Sequence, residues 1–179
     1  MAVLSVVIAP DPIFRQSSEA IAQVDDAVRA LVGDMLDTLE HEKAVGIAAP
    51  MLGIRQRIAV VDLRENDVPN PYCFINPVVV ESSKETQTFE EASLCFPGIS
   101  AHIERPRAIT LEYLDRDGVQ QTLKAEGFFA TVIQHELDYL DGRTFLDHLS
   151  KMKRDMLLKK MQKFIKFHPP HVHSEHCNH

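Results

Sequence analysis

Residues 127–141 constrain the fold most, because they combine a helical apolar pattern with ionisable side chains in one short stretch. The apolar residues that recur at helical spacing are Phe129, Val132, Ile133, Leu137 and Leu140. We therefore predict a helix over 127–141, with Gly142 as its C-terminal stop. Within it, the segment QHELDYLDG (134–142) begins like the metal-binding pattern H-E-x-x-H but has Tyr139 where the second histidine is due.

The H-E-x-x-H pattern has a definite chemistry when it is complete. On a helix, residues i and i+4 share a face, so two imidazoles reach one metal ion. The glutamate between them then acts as general base for the metal-bound water. Here residue i+4 is a phenol with an ordinary pKa of about 10, and it must lose a costly proton before it can bind zinc as tyrosinate. Taken alone, the segment is better explained as a surface glutamate beside a helix histidine that packs on the core.

The remaining patterns predict a single α+β domain. Apolar residues at helical spacing predict a first helix over 26–41, with Asp25 or Asp26 available to cap its start. A third helix is predicted over 150–167, ending before a Pro-Pro pair. Three predicted strands, rich in β-branched and aromatic residues, lie at 57–63, 73–80 and 108–115. No internal repeat or interdomain linker interrupts this order.

The composition is typical of a globular protein. Of the 179 residues, 45% are hydrophobic, which is enough for one sizeable core. No apolar run reaches membrane-spanning length, and the start MAVLSVVIAPDP lacks the basic region of a signal peptide. The cysteines, Cys73, Cys95 and Cys177, are too scattered for a disulfide framework and fit a reducing compartment. We therefore predict a cytoplasmic protein.

Charge is distributed unevenly along the chain. The net charge is −7, but residues 1–149 carry 12 Lys+Arg against 24 Asp+Glu. Residues 150–167 carry seven basic residues and one acid. An acidic body with a basic C-terminal helix indicates that only the end of the chain meets a polyanion. We expect neither DNA nor a membrane among its partners.

Two further blocks accompany the helix pattern. KAVGIAAPMLG (43–53) places small residues before the first predicted strand, which suits close backbone approach. FEEASLCFPGIS (89–100) is expected to be extended, with Ser93 and Cys95 pointing the same way. In this order, the three blocks resemble the peptide deformylase family, whose usual patterns are G-x-G-Φ-A-A-x-Q, E-G-C-L-S and Q-H-E-x-D-H-L. The likeness covers nearly all of residues 9–149.

This resemblance implies both a fold and a reaction. The fold is peptide deformylase-like and α+β, with mixed, mostly antiparallel sheets around a central catalytic-type helix and an additional C-terminal helix. The family removes formate from the N-formyl-methionine of nascent peptides, using Fe²⁺ or Zn²⁺ held by one Cys and two His, with water in the fourth position. We expect a deformylase-like domain at 1–149, a basic C-terminal helix at 150–167 and a His-rich tail at 168–179.

Carried onto this chain, the metal-ligand positions of the family become Ser93, His135 and Tyr139. A neutral serine hydroxyl is a poor replacement for a thiolate, and one imidazole alone does not hold zinc or iron at useful affinity. The core site is therefore expected to hold no metal. Cys95 and Asp138 are formal substitutes. An extended Cys95 would lie ~6.6 Å beyond Ser93, and the family's two-histidine site does not use its aspartate, so we expect neither to rebuild the site.

The other functional positions follow from the same resemblance. Glu136 corresponds to the general base and the backbone N–H of Leu94 to an oxyanion donor, while Met51 replaces the oxyanion glutamine. Met51 cannot donate a hydrogen bond, and without a metal the pKa of the attacking water rises from about 7 towards about 15.7. Deformylase activity is therefore expected to be impaired or absent. The residues expected to contact the peptide are Val45, Gly46, Ile47, Glu91, Val132 and His135.

Three functions are compatible with these residues. The favoured one is a deformylase-like protein that retains a pocket for N-formyl-methionine or methionine-headed N-termini. The second is an active amide hydrolase, with a rebuilt metal site or with Ser93 as nucleophile and His135 as its base. The plainer account of Ser93, His135 and Tyr139 is that they fill the space of the metal with hydrogen bonds. The third function is that of a non-catalytic, ribosome-associated binding protein.

The C-terminal segments carry two expectations. In the family a basic C-terminal helix docks on the ribosome near the exit tunnel, and residues 150–167 fit that role because lysines neutralise phosphates without reading sequence. The same helix has an apolar stripe that suits packing on the body. The tail at 168–179 contains five of the nine histidines, and such tracts bind Zn²⁺, Ni²⁺ or Cu²⁺ in solution.

Overall fold

The computed structural model describes residues 2–169, so most of the predicted His-rich tail lies outside the described residues. The helices are α1 (Asp26–His41), α2 (Gly127–Leu140) and α3 (Lys151–Phe167). The strands are β1 (Gly46–Ala48), β2 (Ile58–Val61), β3 (Tyr72–Ser82), β4 (Thr86–Glu91), β5 (Ala101–Pro106), β6 (Ala108–Leu114) and β7 (Gln120–Glu126). Within residues 2–169, no helix combines the length and apolar character needed to cross a bilayer.

Two antiparallel sheets enclose α2. The larger sheet has the strand order β1-β2-β3-β6-β7, and the smaller one pairs β4 with β5. α2 contacts strands of both sheets, and ten of its fourteen residues are buried. A helix that is covered on most sides needs apolar residues on most sides, which its sequence supplies. The predicted arrangement of antiparallel sheets around a central helix is thus confirmed.

The predicted helices agree with the structure to within one residue at each end. α1 begins at Asp26 because the side chain of Asp25 caps it, accepting a hydrogen bond from the Val28 N–H at 2.9 Å. α2 ends at Leu140, and Gly142 follows with a φ of 71°, a left-handed conformation that favours glycine. The three predicted strands correspond to β2, β3 and β6.

The extended conformation expected over 89–100 is wrong beyond Glu91. β4 ends at Glu91, and the chain turns directly after Ser93. The Ser93 hydroxyl accepts a hydrogen bond from the Cys95 N–H at 3.2 Å, as serine often does where it competes with regular backbone pairing. Because the chain turns, the Cys95 side chain is buried in the same core cluster as Tyr139. The expected separation of Ser93 and Cys95 therefore does not apply.

One face of α3 packs on the body of the protein. Met161 is buried, and Leu157 and Ile165 pack against the core beside the end of α2. Phe164 lies against Gly98, in the turn that follows β4. The apolar stripe of the helix thus contacts the body, while its lysines are exposed.

The contact between Gly98 and Phe164 predicts a specific loss of stability in Gly98→Ala. Gly98 has a φ of 79°, and a Cβ there would lie 2.3 Å from Phe164 Cγ. Gly127 has a φ of 62°, but a Cβ there would meet nothing within 4 Å. We expect Gly98→Ala to lower the free energy of unfolding by ~1–3 kcal/mol more than Gly127→Ala, because overpacking adds to backbone strain. Urea denaturation of the two variants measures the difference.

Phe164→Gly is the control for this comparison, because it removes both the ring and the Cβ of Phe164, which would lie 2.3 and 2.7 Å from the new methyl group. In that background, Gly98→Ala and Gly127→Ala should destabilise the protein to a similar extent. A difference that persists without the ring would contradict the role assigned to this contact.

Candidate active site

A pocket of about 530 Å³ lies between β1, the turn after β4 and one face of α2. Its lining includes nine predicted site residues: Val45, Gly46, Met51, Glu91, Ser93, Leu94, Val132, His135 and Glu136. Ile47 is the exception among the predicted peptide contacts, because its side chain is fully buried in the core. Tyr139 is also fully buried, and it contacts the pocket residue Ser93. Folding therefore brings the three sequence blocks together around one cavity.

The hydroxyl groups of Ser93 and Tyr139 hydrogen-bond to each other at 2.6 Å. Ser93 lies in the turn after β4, and Tyr139 lies on α2 one helical turn beyond His135. The tyrosine ring contacts His135 and Phe14 edge-on, with ring centroids 5.6 Å apart in both pairs. Burial raises the pKa of Tyr139 well above its ordinary value, so the phenol stays protonated. Each of these two polar groups thus satisfies the other inside the protein.

His135 is held by a buried network of charged side chains. Its Nδ1 lies 2.8 Å from Glu91 Oε1, and the Arg105 guanidinium donates two hydrogen bonds to the Glu91 carboxylate, at 2.7 and 2.9 Å. Arg105 also donates to Asp138 Oδ2 at 3.0 Å, and His148 Nε2 lies 2.7 Å from the same oxygen. Because Glu91 accepts as a carboxylate, Nδ1 of His135 carries the proton of this hydrogen bond.

The environment of Glu91 favours its charged form. Burial acts to raise the pKa of Glu91, but hydrogen bonds from Arg105 and His135, together with their charges, outweigh burial and hold that pKa below its ordinary value. A bidentate guanidinium is the strongest partner that a buried carboxylate commonly has. Glu91 is therefore a fixed anion that orients His135.

Glu136 lies in the opposite electrostatic setting. It is buried, and its Oε2 has no hydrogen-bond partner among residues 2–169. Its Oε1 lies against β1, where a Cβ on Gly46 would be only 2.6 Å away, so no larger residue fits at that position. Burial is the largest influence on Glu136 and raises its pKa to about 7, although the charges of His135 and Arg105 act in the other direction.

The two positions predicted to face an oxyanion differ in what they offer. Met51 lies in a 3₁₀ turn after β1, and its Sδ accepts a hydrogen bond from the Ala48 N–H at 3.4 Å. A thioether has no hydrogen to donate. Leu94 lines the pocket, and its N–H makes no hydrogen bond to another residue in the described part of the chain. The pocket therefore offers one backbone donor where a pair would be needed.

These side chains form a poor ligand set for Fe²⁺ or Zn²⁺. His135 offers one imidazole nitrogen, while the hydroxyls of Ser93 and Tyr139 are neutral and already bonded to each other. Burial raises the pKa of the Cys95 thiol far above its ordinary value, so it does not supply a thiolate. Iron and zinc sites are built from thiolate, imidazole and carboxylate ligands. Within the described range, no group of three or more His, Cys, Asp and Glu side chains is arranged to hold a metal ion. The residues present do not fit such an ion.

The sequence and the fold of this chain are shared with known proteins. The family model described as polypeptide deformylase matches residues 3–155. The chain belongs to the peptide deformylase family. A peptide deformylase-like protein of Rickettsia conorii is 57% identical to it, over 97% of this chain and 95% of that protein. A peptide deformylase of Agrobacterium fabrum is 43% identical, over 91% of this chain and 96% of that protein.

Solved structures of deformylases have the same fold. The crystal structure of peptide deformylase from Ehrlichia chaffeensis has a TM-score of 0.88 at 37% identity, covering 93% of this chain and 99% of that one. Peptide deformylase from the same organism in complex with actinonin has a TM-score of 0.87 at 39% identity, covering 92% of this chain and 98% of that one. These similarities confirm the predicted peptide deformylase-like fold.

Most of the charged network around His135 was not predicted from the sequence. Glu91 and Arg105 meet only because β4 and β5 pair as a hairpin, and the sequence shows no motif that links them. His148 lies in the 3₁₀ turn after α2, which was not predicted. One signal was available at Asp138, because a carboxylate on a buried helix needs a partner. It pairs with Arg105.

The raised pKa of Glu136 predicts a pH-dependent effect of Glu136→Gln. The carboxyl ionises at about pH 7 in the folded protein, compared with 4.5 for an unburied glutamate. Its ionisation therefore destabilises the fold increasingly as pH rises between these values. We expect Glu136→Gln to leave the free energy of unfolding nearly unchanged at about pH 4 and to raise it by ~3 kcal/mol at about pH 8. Urea denaturation across this range, in the presence of a chelator, measures the effect.

Glu112→Gln is the matched control, because it removes the same charge from an exposed position on β6. It should show no comparable pH dependence. If Glu136→Gln stabilised the protein equally at both ends of the range, the carboxyl would not be the group that burial perturbs.

Proposed function

We propose that this protein binds the N-termini of methionine-headed peptides in its pocket but lacks metal-dependent deformylase activity. The observation that carries the proposal is the 2.6 Å hydrogen bond between Ser93 and Tyr139. Both residues occupy positions that correspond to metal ligands in the family, and each uses its polar atom to bond the other. His135 is the remaining ligand position, and one imidazole does not retain Fe²⁺ or Zn²⁺. We therefore propose that the core site holds no metal.

Peptide binding is supported by the free edge of β1 and by the shape of the pocket. In the described part of the chain, β1 is the edge strand of the larger sheet and pairs with β2 alone, while Val45 and Gly46 line the pocket. An edge strand offers unpaired N–H and C=O groups to an extended peptide. Leu94, Phe128 and Val132 add an apolar surface that suits a methionine side chain.

The chemical step is affected at two points. Glu136 lies at the position of the general base, but a water molecule that is not bound to a metal has a pKa of about 15.7 and yields its proton reluctantly. Met51 removes one oxyanion donor and leaves the Leu94 N–H as the other. Losing a single donor of this kind costs roughly 10²–10³ in rate. Both losses act on attack at the formyl carbon, so the chain is expected to release formate poorly.

Restoring the three family residues tests this proposal. We expect the unchanged protein to contain no stoichiometric iron or zinc by elemental analysis and to release formate from formyl-Met-Ala only at background rate. The triple variant Ser93→Cys, Tyr139→His and Met51→Gln should bind one metal ion per chain. It should release formate at least ~100-fold faster, since it regains both the activated water and the donor.

Two controls separate restored chemistry from nonspecific effects. Adding Glu136→Gln to the triple variant should abolish its turnover while leaving the metal bound. Ser93→Cys alone should restore neither metal nor turnover, because it supplies only two ligands. Stoichiometric metal in the unchanged protein, with turnover that is lost in Glu136→Gln, would overturn the proposal.

The alternative function is that of an amide hydrolase with Ser93 as nucleophile and His135 as base. The hydrogen bonds of Ser93 do not support it. In the described part of the chain, the Ser93 hydroxyl bonds to the Tyr139 hydroxyl and the Cys95 N–H. A bond to His135 is not among them. This mechanism is tested in the same formate assay, where a Ser93→Ala variant with undiminished hydrolysis would exclude it.

We also propose that the exposed face of α3 contacts the ribosome. Support comes from its lysines, which are exposed on the helix that packs on the body through Met161: Lys151, Lys153, Lys159, Lys160, Lys163 and Lys166. Lysine clusters neutralise RNA phosphates without sequence preference, and such binding weakens as salt concentration rises. The basic helix follows an acidic body that repels polyanions, so the exposed face of α3 is the surface on which a polyanion such as RNA would bind.

Charge reversal on α3 tests the ribosome contact. Lys159→Glu with Lys160→Glu should reduce co-sedimentation with ribosomes, because it removes two phosphate contacts and adds repulsion. The control variant, Lys84→Glu with Lys124→Glu, makes the same change in net charge at two exposed positions outside α3. It should have little effect on co-sedimentation. If the two double variants co-sediment equally, or if deletion of 150–179 changes nothing, α3 is not the contact.

A further inference from the structure

A second pocket, of about 490 Å³, adjoins the proposed peptide pocket at the turn that follows β4. Phe96, in that turn, lines both pockets. The other walls of the second pocket come from residues 9–15, from the segment between α2 and α3, and from the first half of α3. Pockets of ~300–1,000 Å³ with mostly apolar walls and a few polar groups are typical small-molecule sites. The second pocket is therefore large enough for a small organic ligand.

Most of the residues that line the second pocket are apolar. Phe14, Phe96 and Leu146 belong to the buried core and also form part of the wall. Leu158, on α3, packs against the same core cluster and lines the pocket as well. The rings of Phe14 and Phe96 contact each other, with centroids 5.9 Å apart. An apolar group seated against these side chains would leave water, which favours binding.

Two arginines beside this apolar wall share one carboxylate. Arg15 Nη1 donates hydrogen bonds to both carboxylate oxygens of Asp147, at 2.9 Å each, and the Thr144 N–H donates to Oδ2 at 2.8 Å. Arg154 Nη1 lies 3.4 Å from Oδ1, which is longer than the usual N–H···O distance of about 2.9–3.0 Å. Asp147 is thus already engaged by other donors, and the guanidinium of Arg154 keeps most of its hydrogen-bonding capacity.

Both arginines are accessible to a ligand. They line the pocket, and their side chains are 61% exposed at Arg15 and 30% exposed at Arg154, whereas Asp147 is 13% exposed. Asp11 is the acidic residue among those that line the pocket. It is exposed, so water and salt screen its charge, and its Oδ1 accepts a hydrogen bond from the Ile13 N–H at 2.9 Å. An anion that enters the pocket therefore meets Arg154 at close range.

We propose that the second pocket binds a small amphiphilic carboxylate, with its apolar body against Phe14, Phe96 and Leu158 and its carboxylate on the guanidinium of Arg154. A guanidinium forms two parallel hydrogen bonds to a carboxylate, which makes it the best matched side chain for this group. The apolar wall and the incompletely paired arginine lie in one cavity, so a single molecule can use both. No bond is made or broken in this binding step, and it does not depend on the proposed peptide-binding function.

Calorimetric titration of the full-length protein with decanoate, decanol and hexanoate tests this proposal. We expect decanoate to bind at least ~10-fold more tightly than decanol, which lacks the charge, and than hexanoate, which buries fewer methylene groups. Arg154→Gln should weaken decanoate binding at least ~10-fold and leave decanol binding unchanged. Arg116→Gln removes the same group from an exposed position that does not line the pocket and should leave decanoate binding unchanged.

Each result decides a different part of the proposal. If decanol binds as tightly as decanoate, the carboxylate has no partner in the protein and the assigned ligand class is wrong. If Arg154→Gln remains folded by urea denaturation and binds decanoate as tightly as the unchanged protein, the ligand lies elsewhere, for example in the peptide pocket. The comparison of the three ligands needs no variant, and a lack of decanoate binding to the unchanged protein would overturn the proposal directly.

Discussion

The Arg105 guanidinium joins the smaller sheet to the central helix, and the geometry of the pocket depends on it. It reaches from β5 to Glu91 at the end of β4 and to Asp138 on α2, with all three side chains largely removed from water. Burying charges in this way is favourable only when every partner is present and well placed, because an incomplete set leaves a charge unpaired. The end of β4 and the middle of α2 are thereby held at a fixed distance. The turn that follows Glu91 and the imidazole of His135 are positioned as a consequence.

Two glutamates that line the same pocket illustrate how the same side chain acquires different properties. Glu91 and Glu136 are both buried, and burial acts on both to raise the pKa. Glu91 has a guanidinium and an imidazole as partners, so its pKa falls. Burial outweighs the compensating charges of His135 and Arg105 at Glu136, so the pKa of Glu136 rises. The first carboxylate is a structural anion, and the second is a buried carboxyl group with a raised pKa.

Much of the fold could be predicted from local patterns in the sequence. Helical spacing located α1, α2 and α3, and β-branched segments bounded by turn residues located β2, β3 and β6. The family motifs identified which side chains surround the pocket. The prediction was wrong where a tertiary or local polar contact decides the conformation. The Ser93 hydroxyl bonds to the Cys95 N–H and ends the extended segment early, and the pairing of Arg105 with Glu91 depends on a hairpin register that no residue spacing reveals.

The hydrogen bond between Ser93 and Tyr139 links two positions that lie 46 residues apart. A change at Ser93 alone leaves the buried Tyr139 hydroxyl without its partner, which costs about 1–3 kcal/mol, while a change at Tyr139 alone leaves the Ser93 hydroxyl bonded only to the Cys95 N–H. A Cys at 93 would face a phenol, and a His at 139 would face a serine, so neither single step recreates a metal site. A lineage that has exchanged both residues therefore has no easy path back through single substitutions. Each residue of the pair therefore makes substitution of the other by a metal ligand unfavourable on its own.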